Sequence, residues 1–78
     1  MLLLVTGATG KVGAHLIADV LKDPKWQGAR IRALCHNRTP APHERIEIVH
    51  GNIAERADVE RAMTDVTHVV HLATCKEI

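Results

Sequence analysis

The sequence has almost no aromatic side chains and no excess of charge of either sign. Its 78 residues include no Phe and no Tyr, and Trp26 is the single aromatic residue. Proteins that bind single-stranded nucleic acid stack its bases on aromatic side chains, which this chain cannot supply. Ten basic residues against nine acidic ones give a net charge of +1, so the strongly basic surface that attracts a phosphate backbone is also missing. We predict no nucleic-acid partner.

The sequence also lacks long apolar runs and a cysteine framework. The opening apolar run covers only residues 1–5, whereas a helix that spans a bilayer needs about 20 residues. Cys35 and Cys75 form neither a C-x-x-C pair nor a disulfide framework, and we expect reduced thiols packed in the core. These features predict a cytoplasmic protein without a membrane partner.

What is present suffices for one small folded unit. Hydrophobic residues make up 46% of the chain, which is more than disordered chains contain. The length allows at most one domain. A single core of this size rarely supplies more than roughly 3–5 kcal/mol, so we expect marginal stability.

Hydrophobic periodicity predicts four strands and two helices in the order β-α-β-β-α-β. The predicted strands cover residues 1–6, 30–35, 46–49 and 68–73. The predicted helices cover residues 11–22 and 57–64. Strands that alternate with helices, and that are apolar along their whole length, are typical of a parallel sheet covered on both faces. The sequence therefore predicts the α/β class, with an open parallel sheet flanked by helices.

Three glycines stand where the first strand gives way to the first helix, in the sequence T-G-A-T-G-K-V-G of residues 6–13. Gly7 suits the tight turn that leaves the strand, and Gly10 lets backbone N–H groups approach a pyrophosphate. Gly13 lets the helix pack closely on the strand. The helix N-terminus adds free N–H groups and a partial positive charge. This loop is predicted to bind a dinucleotide.

Two other interpretations of these glycines fit less well. A turn that uses glycine for steric reasons alone leaves unexplained why the spacing agrees with the strand before and the helix after. The phosphate loop of ATP- and GTP-binding proteins needs Gly at position 5 and Ser or Thr at position 12. The sequence has Val5 and Val12 there, so phosphoryl transfer is set aside.

The glycine pattern resembles that of the extended and atypical short-chain dehydrogenase/reductase family, especially its NAD(P)-dependent sugar-nucleotide epimerase/dehydratase group. Gly51-Asn52-Ile53 is similar to the G-D-[LIV] signature of that family, and V-T-H-V-V-H-L-A at residues 66–73 is similar to its V-D-x-V-x-H-x-A segment. The resemblance covers nearly the whole chain. It implies a partial Rossmann fold with strand order 3-2-1-4, in which residues 1–78 form the N-terminal part of a dinucleotide-binding domain and the substrate domain is absent.

The resemblance also implies which residues contact the cofactor. The positions at the pyrophosphate are Gly7, Thr9, Gly10, Lys11, Val12 and Gly13. Asn52 and Ile53 would bracket the adenine. The adenosine side, at the end of the fourth strand, would be lined by Leu72, Ala73 and Thr74. Asn52 departs from the Asp of the family, but an amide can still accept a hydrogen bond from the adenine amino group.

The end of the second strand favours NADP over NAD. An NAD preference is expected to show an acidic residue there, which accepts hydrogen bonds from the ribose. The sequence instead has Cys35 followed by His36, Asn37 and Arg38. Arg38 is expected to pair with a 2′-phosphate through its planar guanidinium, and a solvated loop cation is the other interpretation of this residue. His36 and Arg38 join the candidate cofactor-binding residues.

The Tyr-x-x-x-Lys pair that performs hydride transfer in the family has no counterpart, because the sequence contains no tyrosine. No catalytic residue is named, and we infer an N-terminal fragment of a longer enzyme. The parent protein is expected to be an NAD(P)-dependent oxidoreductase or epimerase that acts on a nucleotide sugar or a small carbonyl substrate. A non-catalytic NADP-sensing module and a truncated fragment that binds nothing are the alternatives.

Four further expectations concern single positions and the sheet edge. His68 and His71 fall on opposite faces of a strand, so no metal site is predicted. Arg32 is expected to project from the sheet into solvent. Asp65 stands where a glycine often ends the preceding helix, and Asp tolerates that left-handed geometry. The apolar fourth strand at the edge of the sheet predicts self-association.

Overall fold

The computed structural model describes residues 1–72, which form four strands and two α-helices. The strands are β1 (Leu2–Thr6), β2 (Arg30–Cys35), β3 (Ile46–His50) and β4 (His68–His71). The helices are α1 (Lys11–Lys22) and α2 (Arg56–Ala62). A short 3-10 helix, Pro24–Trp26, follows α1 and was not predicted. The predicted order of strands and helices is confirmed.

The four strands form one parallel sheet in the order β3-β2-β1-β4, which confirms the predicted topology. Val5 of β1 lies between Ala33 of β2 and Val70 of β4. Because all strands run the same way, their carboxyl ends lie at one edge of the sheet, where ligands bind in open α/β folds. The loops that follow β1, β2 and β3 therefore begin side by side.

The two faces of the sheet are buried to different extents. On the α1 face, Val5, Ile31 and Ala33 are fully buried, and α1 packs Ile17 and Val20 against the same cluster. Successive strand residues point to opposite faces, so Leu4 and Leu34 fall on the α2 face. There they form a smaller buried cluster with Ala62, the one buried residue of α2. Burial of the sheet by α1 therefore supplies most of the core.

The prediction that Arg32 projects into solvent is wrong. Its side chain is only 13% exposed and forms an ion pair with Glu47, with 3.0 Å between Nε and Oε1. Its Nη1 donates to the carbonyl oxygens of Ala62, at 2.7 Å, and Thr64, at 2.6 Å. The last carbonyls of a helix have no intrahelical donor, so a guanidinium on the neighbouring strand satisfies the end of α2.

Four elements differ slightly from their predicted bounds: β1 begins at Leu2, β3 ends at His50, β4 ends at His71, and α2 is shifted. Helix α2 begins at Arg56, one residue earlier than predicted, and ends at Ala62, two residues earlier than predicted. Asp65 adopts a positive φ of 64°, which confirms the left-handed turn expected there. Ala73, the predicted last residue of β4, lies outside the described residues. Over residues 1–72, every helix is too short or too polar to cross a membrane.

Candidate functional site

A cavity of about 230 Å³ opens where the carboxyl ends of three neighbouring strands meet. Its walls come from residues 6–9 after β1, residues 34–38 at the end of β2, and residues 51–53 after β3. The predicted cofactor-binding residues in these walls are Gly7, Thr9, His36, Arg38, Asn52 and Ile53. The fold therefore brings together three segments that sequence reasoning singled out separately.

Gly7 makes the tight turn at the end of β1. Its φ is 72°, in the left-handed region that residues with a Cβ rarely adopt. The turn is closed by a hydrogen bond of 3.1 Å from the Gly10 N–H to the Gly7 carbonyl oxygen. Chain direction thus reverses from strand to helix within four residues.

Gly13 lets α1 approach this turn closely. A Cβ at position 13 would lie 2.1 Å from the Gly7 carbonyl oxygen and 2.9 Å from the Ala8 Cα. Both are backbone atoms, which cannot move away without distorting the turn. The sequence had led us to expect a close contact with the strand itself, but the contact is with the turn after it. This contact excludes every side chain at position 13.

Gly10 has no such requirement inside the protein. It is exposed, its backbone is extended with φ −75° and ψ 170°, and a Cβ there would meet only the Gly7 carbonyl oxygen, at an ordinary 3.5 Å. Gly10 precedes α1 as its N-cap and supplies no side-chain cap. By helix geometry, the N–H groups of Lys11, Val12 and Gly13 have no intrahelical acceptor. Such a helix start fits an anionic group.

The end of β2 supplies positive charge and no acid to the cavity. His36 and Arg38 are exposed and line the wall, and none of the wall residues is Asp or Glu. Cys35 is buried beside them, its Sγ lies 3.6 Å from the Ala33 carbonyl oxygen, and burial raises the pKa of its thiol. A thiol with a raised pKa is a poor nucleophile, so Cys35 acts as a packing residue.

Asn52 is fixed by three hydrogen bonds in the turn after β3. Its N–H donates to Asp58 Oδ2 at 2.8 Å, and its carbonyl oxygen accepts from the Glu55 N–H at 2.9 Å. Its side-chain Oδ1 accepts from the Ala54 N–H, also at 2.9 Å. An Asx turn of this kind holds the backbone and the side chain together. These hydrogen bonds therefore hold the cavity wall at residues 51–53 in one conformation.

Asp58 holds this wall in place, and sequence reasoning missed it. The hydrogen bond from the Asn52 N–H, with the nearby charges of Arg61 and His36, lowers the pKa of Asp58. Arg61 forms an ion pair with it at 3.2 Å. A signal was available, since Asp58 stands three residues after the N-cap Glu55, where acidic side chains often reach back to a preceding N–H.

Gly51 makes room for that carboxylate. A Cβ at position 51 would lie 2.9 Å from the Asp58 Cβ and 3.1 Å from its Cγ. Glycine at this position thus allows α2 to bring its first turn against the end of β3. The pair of Gly51 and Asp58 explains locally why the wall contains a glycine.

The remaining predicted site residues that the structure describes lie outside the cavity wall. Gly10, Lys11, Val12 and Gly13 belong to the turn and the start of α1 beside it. The Leu72 N–H donates to the Thr6 carbonyl oxygen and to Thr6 Oγ1, at 3.1 Å each, and the Leu72 side chain packs against the α1-side core. His71 Nδ1 lies 2.7 Å from the same Thr6 hydroxyl. Ala73 and Thr74 lie outside the described residues.

A comparison with family models identifies the class of protein to which this site belongs. The model of the NAD dependent epimerase/dehydratase family matches residues 3–78. The chain belongs to this family. A search of curated proteins gave no match. Membership in the epimerase/dehydratase family confirms the resemblance seen in the glycine pattern and implies, at family level, a function that depends on NAD(P).

The residues around the cavity fit the adenosine half and the pyrophosphate of such a cofactor. The main-chain donors at the start of α1 suit the phosphates, since Lys11 and Val12 are exposed and Gly10 before them is exposed and has no side chain. Polar and apolar wall residues follow at the ends of β2 and β3. The nicotinamide of the bound cofactor would supply hydride chemistry, and the residues described here would bind and orient the other half of the molecule.

Proposed function

We propose that the chain is the dinucleotide-binding segment of an NAD(P)-dependent epimerase, dehydratase or reductase, and that it binds the cofactor pyrophosphate at residues 7–13. The observation that carries this proposal is Gly10. It precedes the unpaired donors of α1, it is exposed, and nothing in the described chain requires a glycine there. A glycine without an internal reason is expected where the backbone must come close to a ligand.

The cavity supports a direction for the bound dinucleotide. From the pyrophosphate at the first turn of α1, the wall passes Gly7 and Thr9, then His36 and Arg38, and then residues 51–53. A dinucleotide laid along this path puts its adenosine ribose beside the end of β2 and its adenine beside Asn52 and Ile53. Ile53 offers an apolar contact to the base, and Asn52 a polar one.

The test of this function is direct titration of the purified chain with NADPH and with NADH, followed by nicotinamide fluorescence or calorimetry. We expect saturable binding of one to one stoichiometry. Nicotinamide mononucleotide, which lacks the adenosine half, is the control and should not compete, because the cavity described here takes the other half. Absence of binding with both dinucleotides would refute the proposal.

Arg38→Ala is expected to weaken NADPH binding about tenfold, since an exposed charge-assisted hydrogen bond to phosphate contributes near the lower end of its usual range. Binding of NADH, which has no 2′-phosphate, should change less than about twofold, within the small effect of losing one exposed charge. The same titration checks both values. Arg56→Ala is the matched control, because Arg56 is exposed on α2 and pairs with Glu60 away from the cavity. An equal loss for both dinucleotides would argue against NADP preference.

The proposal extends to what the parent protein acts on and where. A nucleotide sugar or a small carbonyl compound in the cytoplasm is the substrate we propose for it. Self-association through the sheet edge is supported by β4, which pairs only with β1 among the described strands, and by Val69, whose side chain on that strand is 49% exposed. Unpaired strand edges with exposed apolar side chains favour pairing with a second chain.

A further inference from the structure

A second cavity, of about 350 Å³, lies on the α1 face of the sheet and adjoins the first. One of its walls is a stripe along α1 whose members recur at i, i+3, i+4 and i+7, the spacing of one helix face. They are Ala14, Ile17, Ala18 and Leu21. The opposite wall is the segment of residues 39–43, and Ile46 of β3 also lines the space. The second cavity is therefore bounded by a helix, a loop and a strand.

This cavity exists because the connection between β2 and β3 contains no helix. Parallel strands are usually joined by a crossover helix, and a right-handed crossover after β2 would place one beside α1 on the same face. The connection instead contains Pro40 and Pro42, which the interior of a helix does not tolerate, and it crosses the face as an irregular segment. The small side chains of Ala14 and Ala18 leave unfilled the space that a helix would have taken.

The size of the second cavity and its lining select a small uncharged ligand. Ligand sites generally measure about 300–1,000 Å³, and an apolar cavity of about 150 Å³ already holds benzene, so this space is large enough for two fused rings. None of the described residues that line it is Lys, Arg, Asp or Glu. His43 Nδ1 accepts from the Arg45 N–H at 3.0 Å, a bond that only an uncharged imidazole accepts. A charged ligand would lose hydration without gaining an ionic partner.

The loop wall excludes a larger occupant and the two threonines of the lining favour one polar group. Residues 39–43 cover the side of α1 where a partner helix would lie, so a second helix could pack on the stripe only by displacing Pro40 and Pro42. Thr9 and Thr39 bring hydroxyl groups, which donate or accept hydrogen bonds. The molecule that fits is apolar over most of its surface and carries a single hydroxyl or carbonyl group.

We propose that the second cavity is a binding site for an uncharged bicyclic molecule with one hydroxyl or carbonyl group, separate from the dinucleotide site. Its rings contact the α1 stripe and Ile46, and its polar group pairs with Thr9 or Thr39. The two cavities adjoin at Ala8 and Thr9 and share no other lining residue, so both can be occupied at once. This inference does not depend on the proposed function.

The experiment uses 2-naphthol, which has two fused rings and one hydroxyl and is uncharged near neutral pH. It is titrated into the isotope-labelled chain while the backbone amide resonances are followed by NMR. We expect shifts concentrated at residues 14–21 and 39–43, with a Kd on the order of 0.1–1 mM, the range for a ligand of about eleven non-hydrogen atoms. The control ligand 2-naphthoate has the same rings and a carboxylate, and it should bind at least about tenfold more weakly.

Ala18→Leu is the variant that fills the second cavity from the α1 side. Leucine is a strong helix former, so the variant should keep its fold, which circular dichroism checks, and its affinity for 2-naphthol should fall at least about tenfold because the added atoms occupy the space of the rings. Ala57→Leu makes the same change at an exposed position of α2 outside both cavities and should bind like the wild type. Ala14→Leu, at an exposed position of the same stripe, replaces Ala18→Leu if that variant fails to fold.

Wild-type affinity in the cavity-filling variant would overturn the inference, as would equal affinity for 2-naphthoate. Shifts confined to residues 6–9, 34–38 and 51–53 would place the probe in the first cavity and would also overturn it. Resonances at residues 14–21 that move with protein concentration alone would assign the second cavity to a second copy of the chain. Saturating NADH should change the 2-naphthol Kd by less than about twofold, as for independent sites, and direct competition would contradict their separation. Failure of NADH to bind would refute the proposed function and leave the titrations with 2-naphthol valid.

Discussion

Gly13→Ala is expected to remove most of the folding free energy of the chain. The added Cβ would lie 2.1 Å from the Gly7 carbonyl oxygen and 2.9 Å from the Ala8 Cα, and both atoms belong to the backbone of a tight turn. Overpacking costs typically 1–3 kcal/mol, and we place this variant at about 3 kcal/mol because no flexible side chain can yield. A core of this size supplies roughly 3–5 kcal/mol in total.

Thermal unfolding followed by circular dichroism measures this effect. Gly28→Ala is the control, because a Cβ at position 28 meets nothing within 4 Å and the position has no positive φ. That variant should unfold at the wild-type temperature or slightly above it, since alanine restricts the unfolded chain. If Gly13→Ala unfolds like Gly28→Ala, the packing of α1 on the turn is not as described.

Gly10→Asp is expected to change stability and cofactor binding in opposite directions. The backbone at position 10 already has the extended conformation of an N-cap, where Asp is among the preferred residues, so α1 should be stabilised by a few tenths of a kcal/mol. Its carboxylate would take the donors that the pyrophosphate needs and would repel its charge. We expect NADPH and NADH affinity to fall about a hundredfold, which corresponds to about 3 kcal/mol.

The titration and the unfolding measurement are made on the same preparations. Gly28→Asp introduces the same charge on the exposed turn before β2 and should leave the dinucleotide Kd at its wild-type value. A loss of binding in a chain that is no less stable cannot come from misfolding. Wild-type affinity in Gly10→Asp would mean that the cofactor phosphates lie elsewhere.

The fold was predictable because apolar residues recur along the sequence at the spacing that buried strands and helices require. Leu3, Val5, Ile31 and Ala33 alternate along buried strands, which predicts the parallel sheet, whereas the strand order was predicted from the family resemblance. The ends of α2 were less predictable, because only Ala62 of that helix is buried and its other residues carry little periodic signal. The 3-10 helix at Pro24–Trp26 depends on a local cap, in which Asp23 Oδ1 accepts from the Lys25 N–H at 2.9 Å.

The roles of individual polar residues were less accessible from the sequence. Arg32 donates to backbone carbonyl oxygens thirty and more positions away. Every residue has such a carbonyl, so no residue type in the sequence identifies these partners. The sequence does not distinguish the three glycines. A positive φ requires Gly7 and a close backbone contact requires Gly13, whereas neither applies to Gly10. Asn52 was expected to accept a hydrogen bond from adenine, and the sequence did not show that its Oδ1 also accepts from the Ala54 N–H.

The thin burial of α2 has a consequence for the energetics of the site. This helix is anchored by Ala62 in a small cluster and by Arg32 at its last carbonyls. Elements with so few buried contacts open locally at a small free-energy cost. Since Asp58 of the same helix accepts from the Asn52 N–H, each opening of α2 also releases the cavity wall at residues 51–53. A ligand bound against that wall would therefore stabilise α2, and slower amide hydrogen exchange in α2 would measure this stabilisation.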